Sequence, residues 1–141
     1  MIPSQKQTIG LLVAVALFIL GCKPSETTPA ATDRIALGAS QSARLGSNVS
    51  VRVHVIQDSR CPANLTCIWG GEAKVSLALS KSGDSHTLEL ILGRSGAKRS
   101  DSTQIALSGK TYKVILREVN PYPVSPATGP PPTAVIQVTK L

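Results

Sequence analysis

A chain of 141 residues has room for one ordinary domain and not for two. It holds one Trp, one Phe and two Tyr, so a core must be built from Val, Leu and Ile, a composition that suits strands because β-branched side chains pack well on a pleated surface. The formal charge is +7, yet the cations are spread from Arg34 to Lys140, with only Lys98-Arg99 and the 110–117 stretch coming close to clusters; with no accompanying RNA- or DNA-binding motif, a nucleic-acid partner is excluded.

Residues 1–10 carry one cation, Lys6, and Leu11 to Leu20 form an unbroken apolar run. A membrane-spanning helix needs about 20 apolar residues, so this run is too short for one. A charged start, a short apolar stretch and a small residue before a break together describe a secretory leader. The break Ile19-Leu20-Gly21-Cys22 resembles the lipobox of bacterial lipoproteins. That resemblance implies that residues 1–21 are a cleaved signal peptide and that the Cys22 thiolate receives a diacylglyceryl group. It also implies that the new N-terminus is acylated, with palmitate or a similar chain, and that Gly21 gives the peptidase access. Acyl chains contribute about 0.8 kcal/mol per buried CH₂, so several of them anchor firmly. Lys23 stands where an Asp would suggest inner-membrane retention in enteric bacteria, so the resemblance implies a cell-envelope protein on the outer membrane, facing the periplasm. An ordinary signal peptide with a chance cysteine is the alternative.

Loss of the leader leaves 14 basic against 8 acidic residues. This excess is either a solvated surface or a means of meeting anionic lipid headgroups or an anionic envelope polymer. Residues 22–33 comprise the lipidated N-terminus and a stretch, KPSETTPAATD, that is rich in Pro, Thr and Ala and lacks hydrophobic period. They read as a flexible tether.

From residue 34 to 141 the dominant period is two, the strand period. Short segments at Arg34–Leu37 and Gln41–Leu45 begin the sheet. Val49, Val51, Val53 and Val55 then alternate with Ser50, Arg52, His54 and Ile56. Cys67, Trp69, Gly71, Ala73, Val75, Leu77 and Leu79 hold one phase, opposite Glu72, Lys74 and Ser76. Leu88, Leu90 and Leu92 repeat the pattern, as do Ile105 and Leu107, then Tyr112, Val114 and Leu116, then Ala134, Ile136 and Val138. Turn signals separate the runs at Ser82-Gly83-Asp84, Gly93 to Ser102, and Ser108-Gly109-Lys110. No segment carries a helical stripe. About seven or eight short strands, each apolar on one face, predict an all-β fold: a single small antiparallel β-sandwich, with a partly open barrel as the alternative.

Asn120 to Thr133 reads NPYPVSPATGPPPT, with six prolines. Proline lacks a donor N–H, so this is no central strand. It is a long connection between the last two strands, stiffened where Pro130, Pro131 and Pro132 adjoin. Loops of this length without structure of their own are often functional.

Once Cys22 is acylated, Cys61 and Cys67 remain, in RCPANLTC. An exported domain meets an oxidising compartment in which such a pair closes into a disulfide. The small ring is worth about 2 kcal/mol by chain entropy. A metal site is disfavoured: zinc wants four ligands, and the two histidines, His54 and His86, lie outside any motif spacing. The spacing is also not Cys-x-x-Cys, which argues against a redox pair.

The residues Asp58-Ser59-Arg60-Cys61-Pro62, followed by Cys67-Ile68-Trp69-Gly70-Gly71-Glu72-Ala73, resemble a pattern of small secreted or lipid-anchored bacterial proteins: a DSRCP segment, then Cys-x-Trp-x-Gly. The likeness continues through Tyr112 to Pro123 and covers most of residues 35–140. It implies a fold and a compartment and supplies no catalytic residues. Gly70 stands where many relatives have alanine. Asp58 and Arg60 are either a local ion pair that shapes the loop or, with Trp69, a candidate recognition loop. Trp69 is expected more as a core plug on the disulfide than as a ligand platform. The triplets Asn48-Val49-Ser50 and Asn64-Leu65-Thr66 match the glycosylation pattern, which the bacterial leader makes incidental.

An enzyme needs a nucleophile, a base and something to orient it, or a metal. The sequence holds no Gly-rich phosphate loop, no paired carboxylates and no histidine in a recognisable motif. The expectation is a monomeric, lipid-anchored, non-catalytic binding or structural module without cofactor or metal, meeting an envelope protein or anionic polymer. The alternative is an envelope inhibitor of a hydrolase that presents the 60–67 disulfide loop as a rigid plug. Lysozyme inhibitors are a precedent by size and anchoring only. Because such lysozymes are usually basic, a protease is the better target for a cationic domain, with Arg60 as the inserted residue.

Overall fold

The computed structural model describes residues 33–93 and 101–141. The leader, Cys22, nearly all of the tether and Lys98-Arg99 lie outside the described residues. Eight strands follow in chain order: β1 (Arg34–Gly38), β2 (Ser42–Arg44), β3 (Ser50–Asp58), β4 (Glu72–Lys81), β5 (Asp84–Gly93), β6 (Ser102–Leu107), β7 (Lys110–Asn120) and β8 (Thr133–Lys140). They form two four-stranded antiparallel sheets, ordered β1-β8-β7-β6 and β2-β3-β4-β5. Among the described residues each sheet has its own edges and no ladder joins them, so the fold is a β-sandwich and not a closed barrel.

The inward phase of each strand makes the core. Val49, Val51 and Val53 from the β3 region meet Ala73, Val75, Leu77 and Leu79 of β4 and Leu90 of β5. The facing sheet supplies Leu107, Tyr112, Val114, Leu116, Ala134, Ile136 and Val138. Tyr112 is fully enclosed, and its hydroxyl finds a partner in Lys81, whose Nζ donates to it at 2.8 Å and to the Ser47 carbonyl at 2.8 Å. A buried phenol needs such a bond to offset its lost hydration. The β4–β5 and β6–β7 turns, Ser82-Gly83 and Ser108-Gly109, have positive φ at both residues, the conformation that matches the twist of two-residue hairpins.

Two register shifts alter the alternation. His54 has no partner on β4: Val53 faces Leu77 and Val55 faces Ser76. The extra residue reverses the inward phase, so Val55 points outward, 48% exposed, and Ile56 packs on the core instead. The expectation that Val55 continues the inward stripe is therefore corrected. Arg117 is the equivalent extra residue on β7, between Leu116 facing Ile136 and Glu118 facing Val135, and it brings Val119 into the core. Such bulges insert one residue and bend the strand.

The sandwich has two unlike ends. At one lie the β2–β3, β4–β5 and β6–β7 turns. Asp33 enters near it, its carbonyl accepting from the Val138 amide at 2.8 Å. At the other end, loop 59–71 joins β3 to β4 and loop 121–132 joins β7 to β8.

Candidate functional site

At this loop end the chain leaves β3 through Asp58. The Arg60 guanidinium folds back on it: Nε donates to Oδ1 at 2.8 Å and Nη2 to Oδ2 at 2.6 Å. The Arg60 amide also donates to Asp58 Oδ1 at 3.2 Å. Planar, forked geometry of this kind is what arginine offers a carboxylate. Nη2 donates further to the Val119 carbonyl at 2.8 Å, and the guanidinium carbon stands 4.4 Å from the centre of the Tyr122 ring, a cation–π contact. The two side chains keep 9% and 11% of their surface exposed. Arg60 is thus a brace between the two loops: its guanidinium is held by Asp58, the Val119 carbonyl and the Tyr122 ring and does not project from the loop.

Past Arg60, Cys61 and Cys67 form a disulfide with Cα atoms 5.9 Å apart, as their spacing implies. The Cys61 amide donates to the Gly70 carbonyl at 3.0 Å, and the Ser59 amide donates to Glu72 at 2.9 Å. A second set of bonds ties this loop to the proline-rich one. The Ala63 amide donates to the Pro123 carbonyl at 2.9 Å, Asn64 Nδ2 to the Ser125 carbonyl at 2.6 Å, and the Ser125 amide to Asn64 Oδ1 at 2.9 Å. The Asn64 triplet that resembles a glycosylation site is therefore a loop clasp. The peptide bonds Asn120-Pro121 and Ser125-Pro126 are cis.

The return into β4 passes Gly71, whose φ of +68° lies in the left-handed region. A Cβ there would overlap the Ser59 carbonyl oxygen and come within 2.7 Å of the Arg60 Cα, so two backbones cross where only glycine fits. Strand β4 begins only at Glu72. Cys67 and Trp69 consequently do not share the inward phase of Ala73 and Val75. Trp69 is 82% exposed and Ile68 96%. The expectation of a core plug against the disulfide is corrected: the turn at Gly71 breaks the alternation that would have pointed the indole inward.

Of the residues singled out from the sequence, Asp58 and Arg60 come together and Trp69 stands apart, presented by the loop they brace. Sequence reasoning missed Tyr122, the Val119 carbonyl, the Asn64–Ser125 clasp, and Leu65 and Ile68 as exposed apolar neighbours. The length and proline content of loop 121–132 were the available signal. That loop also walls a groove of about 370 Å³, lined by Asp58, Tyr122, Val124 and the Pro130–Pro132 run among others. The groove contains no free charge, since the Asp58 carboxylate is engaged by Arg60. His54 and His86 are both exposed, and among the described residues no three His, Cys, Asp or Glu side chains are grouped as a metal would require. Searches against protein-family models, curated proteins and solved structures found no match to the chain.

Proposed function

We propose that the chain is a bacterial lipoprotein anchored through Cys22 to the envelope, on the periplasmic face of an outer membrane. Its folded domain serves as a non-catalytic binding module whose working surface is the loop end. The lipobox residues Ile19-Leu20-Gly21-Cys22 support the anchor. The observation that carries the binding role is Trp69, 82% exposed on a loop fixed by a disulfide, a forked ion pair and a two-way clasp. Tryptophan is the residue most enriched among energetic anchors of interfaces, and a pre-shaped loop loses little entropy when it engages. A hydrolase-inhibitor reading would rest on Ile68 and Trp69 rather than on the enclosed Arg60.

Two measurements test this reading. Mature protein isolated from membranes should be heavier than residues 22–141 by its acyl groups, and Cys22→Ser should release it from the membrane or leave it unprocessed; an unmodified chain beginning elsewhere ends the anchor. A benzophenone side chain at position 69, photolysed in intact cells, should form adducts, protein or lipid, that the same group at position 82 on the opposite end does not. Equal yields would end the assignment of the working surface.

A further inference from the structure

We propose that the loop end is a bilayer-contacting tip: Leu65, Ile68 and Trp69, with Tyr122 and Val124 on the adjoining loop, enter the interfacial zone of a membrane containing anionic lipid. This deepens the binding role above, and its partner is the surface that the anchor keeps within reach.

Among the described residues, seven large hydrophobic side chains are exposed, and five of them stand at this end: Ile68 at 96%, Trp69 at 82%, Leu65 at 52%, Tyr122 at 48% and Val124 at 37%. Exposed apolar residues scattered singly are ordinary, whereas five of seven gathered at one end mark an interaction surface. These two loops carry almost no charge of their own. Loops 59–71 and 121–132 contain a single charged residue, Arg60, and its charge is met by Asp58. Without residues 1–21 the chain keeps 14 basic against 8 acidic residues, a net charge of +6. An uncharged apolar cap can insert shallowly, and a net positive chain favours a surface that contains anionic lipid over a neutral one.

The polar inventory favours a fluid surface over a protein cleft. Specific protein interfaces carry about one hydrogen bond per 100–200 Å², and the longer polar side chains here are already committed, Asn64 to Ser125 and Arg60 to Asp58. The six prolines of Asn120–Thr133 remove six N–H donors that would otherwise have to be stripped of water. Trp and Tyr are the side chains that sit at headgroup depth, ring buried and polar atom wet.

The anchor permits this orientation. The tether joins the domain at Asp33, level with Val138, and β8 runs from there to Thr133, roughly 17 Å at the rise of a strand. Eleven residues from Cys22 to Asp33 reach roughly 37 Å when extended, enough for anchor and tip to hold one bilayer.

Trp69 is the chain's single tryptophan, so its emission reports on the tip without labelling. Protein purified with its native N-terminus is reconstituted into vesicles of phosphatidylethanolamine and phosphatidylglycerol, with and without lipids brominated on the acyl chains. The expected result is a blue-shifted emission that brominated lipid quenches. Ile68→Asp, at a position 96% exposed and therefore without a folding role, should lose both the shift and the quenching while leaving the indole in place. Emission that stays water-like in the vesicles, or quenching that Ile68→Asp leaves unchanged, overturns the proposal. A blue shift that arises without lipid and vanishes on dilution also overturns it, because a second copy then covers the tip. The intact mass of the same sample separates the two readings: if it lacks acyl groups the anchor fails, and the same vesicles titrated into the free chain still decide the tip.

Discussion

Truncation of Arg60 to alanine tests whether the loop end is braced as described. The wild-type guanidinium makes two bonds to Asp58, one to the Val119 carbonyl and a cation–π contact with Tyr122. With 9% and 11% of the side chains exposed, water screens the pair little, and removing one partner of a buried pair costs about 3–5 kcal/mol. One feature lowers that figure: the Asp58 carboxylate keeps the bond from the amide of residue 60, which survives truncation. A loss of about 3 kcal/mol is therefore expected for Arg60→Ala, lowering Tm by roughly 12–18 °C in a domain of this size. Asp58→Ala should cost a similar amount, and the double variant should fall short of the sum by at least about 1 kcal/mol, since both single changes break the same bonds. Arg60→Lys should recover less than half, because an ammonium cannot form the fork. Urea unfolding followed by far-UV circular dichroism is the suitable assay; Trp69 is already 82% exposed in the folded state and reports poorly on unfolding. A loss below about 1 kcal/mol for Arg60→Ala, or strict additivity in the double variant, would refute the brace.

Gly71→Ala forces a left-handed φ and a backbone overlap at Ser59 and should destabilise by about 3 kcal/mol or more, whereas Gly70→Ala, with nothing within 4 Å of its Cβ, should stay within about 0.5 kcal/mol of wild type; equal effects in thermal melts would show the crossing is misassigned. Reduction of the Cys61–Cys67 bridge should cost about 2 kcal/mol by the entropy of its small ring and leave the domain folded, because neither cysteine belongs to the core cluster; thiol alkylation before and after reduction, paired with Tm, checks both parts, and two free thiols in native protein would exclude the bridge. Tyr112→Phe removes the hydroxyl that accepts from Lys81 while Lys81 retains the Ser47 carbonyl, so a loss of about 1 kcal/mol is expected by chemical denaturation; no change would mean that the bond contributes nothing net.

Alternation of side chains is a local property, and wherever it ran unbroken the strand and its buried face were legible from the residues alone. Ala73, Val75, Leu77 and Leu79 read inward and are fully buried, as are Tyr112, Val114 and Leu116 and the Ala134, Ile136, Val138 set. The Ser-Gly turns and the proline-rich connection were legible for the same reason, since φ preference and a missing donor belong to single residues. Two antiparallel sheets follow, because strands apolar on one face must cover one another.

What the alternation could not reveal is where it is interrupted. His54 and Arg117 carry no mark that distinguishes a bulge residue from an ordinary outward one; the extra residue is defined only against the partner strand, and it alone decides that Ile56 and Val119 turn inward while Val55 does not. Trp69 was misread for a related reason. Its phase matches β4 by counting, but the crossing of Gly71 over the Ser59–Arg60 backbone takes it out of the sheet, and that crossing exists only once β3 and β4 are paired. The loop clasp is further beyond reach of any local signal. Arg60 meets Val119 across 59 residues and Asn64 meets Ser125 across 61, so their partners are set by the pairing order of the sheets. The sequence by itself determined the strands and their core faces wherever the alternation is unbroken, and the cysteine pair. Only the tertiary structure decided that Arg60 is spent inside the loop end and that Trp69 stands outside it, because burial there depends on neighbours that folding brings from the other sheet.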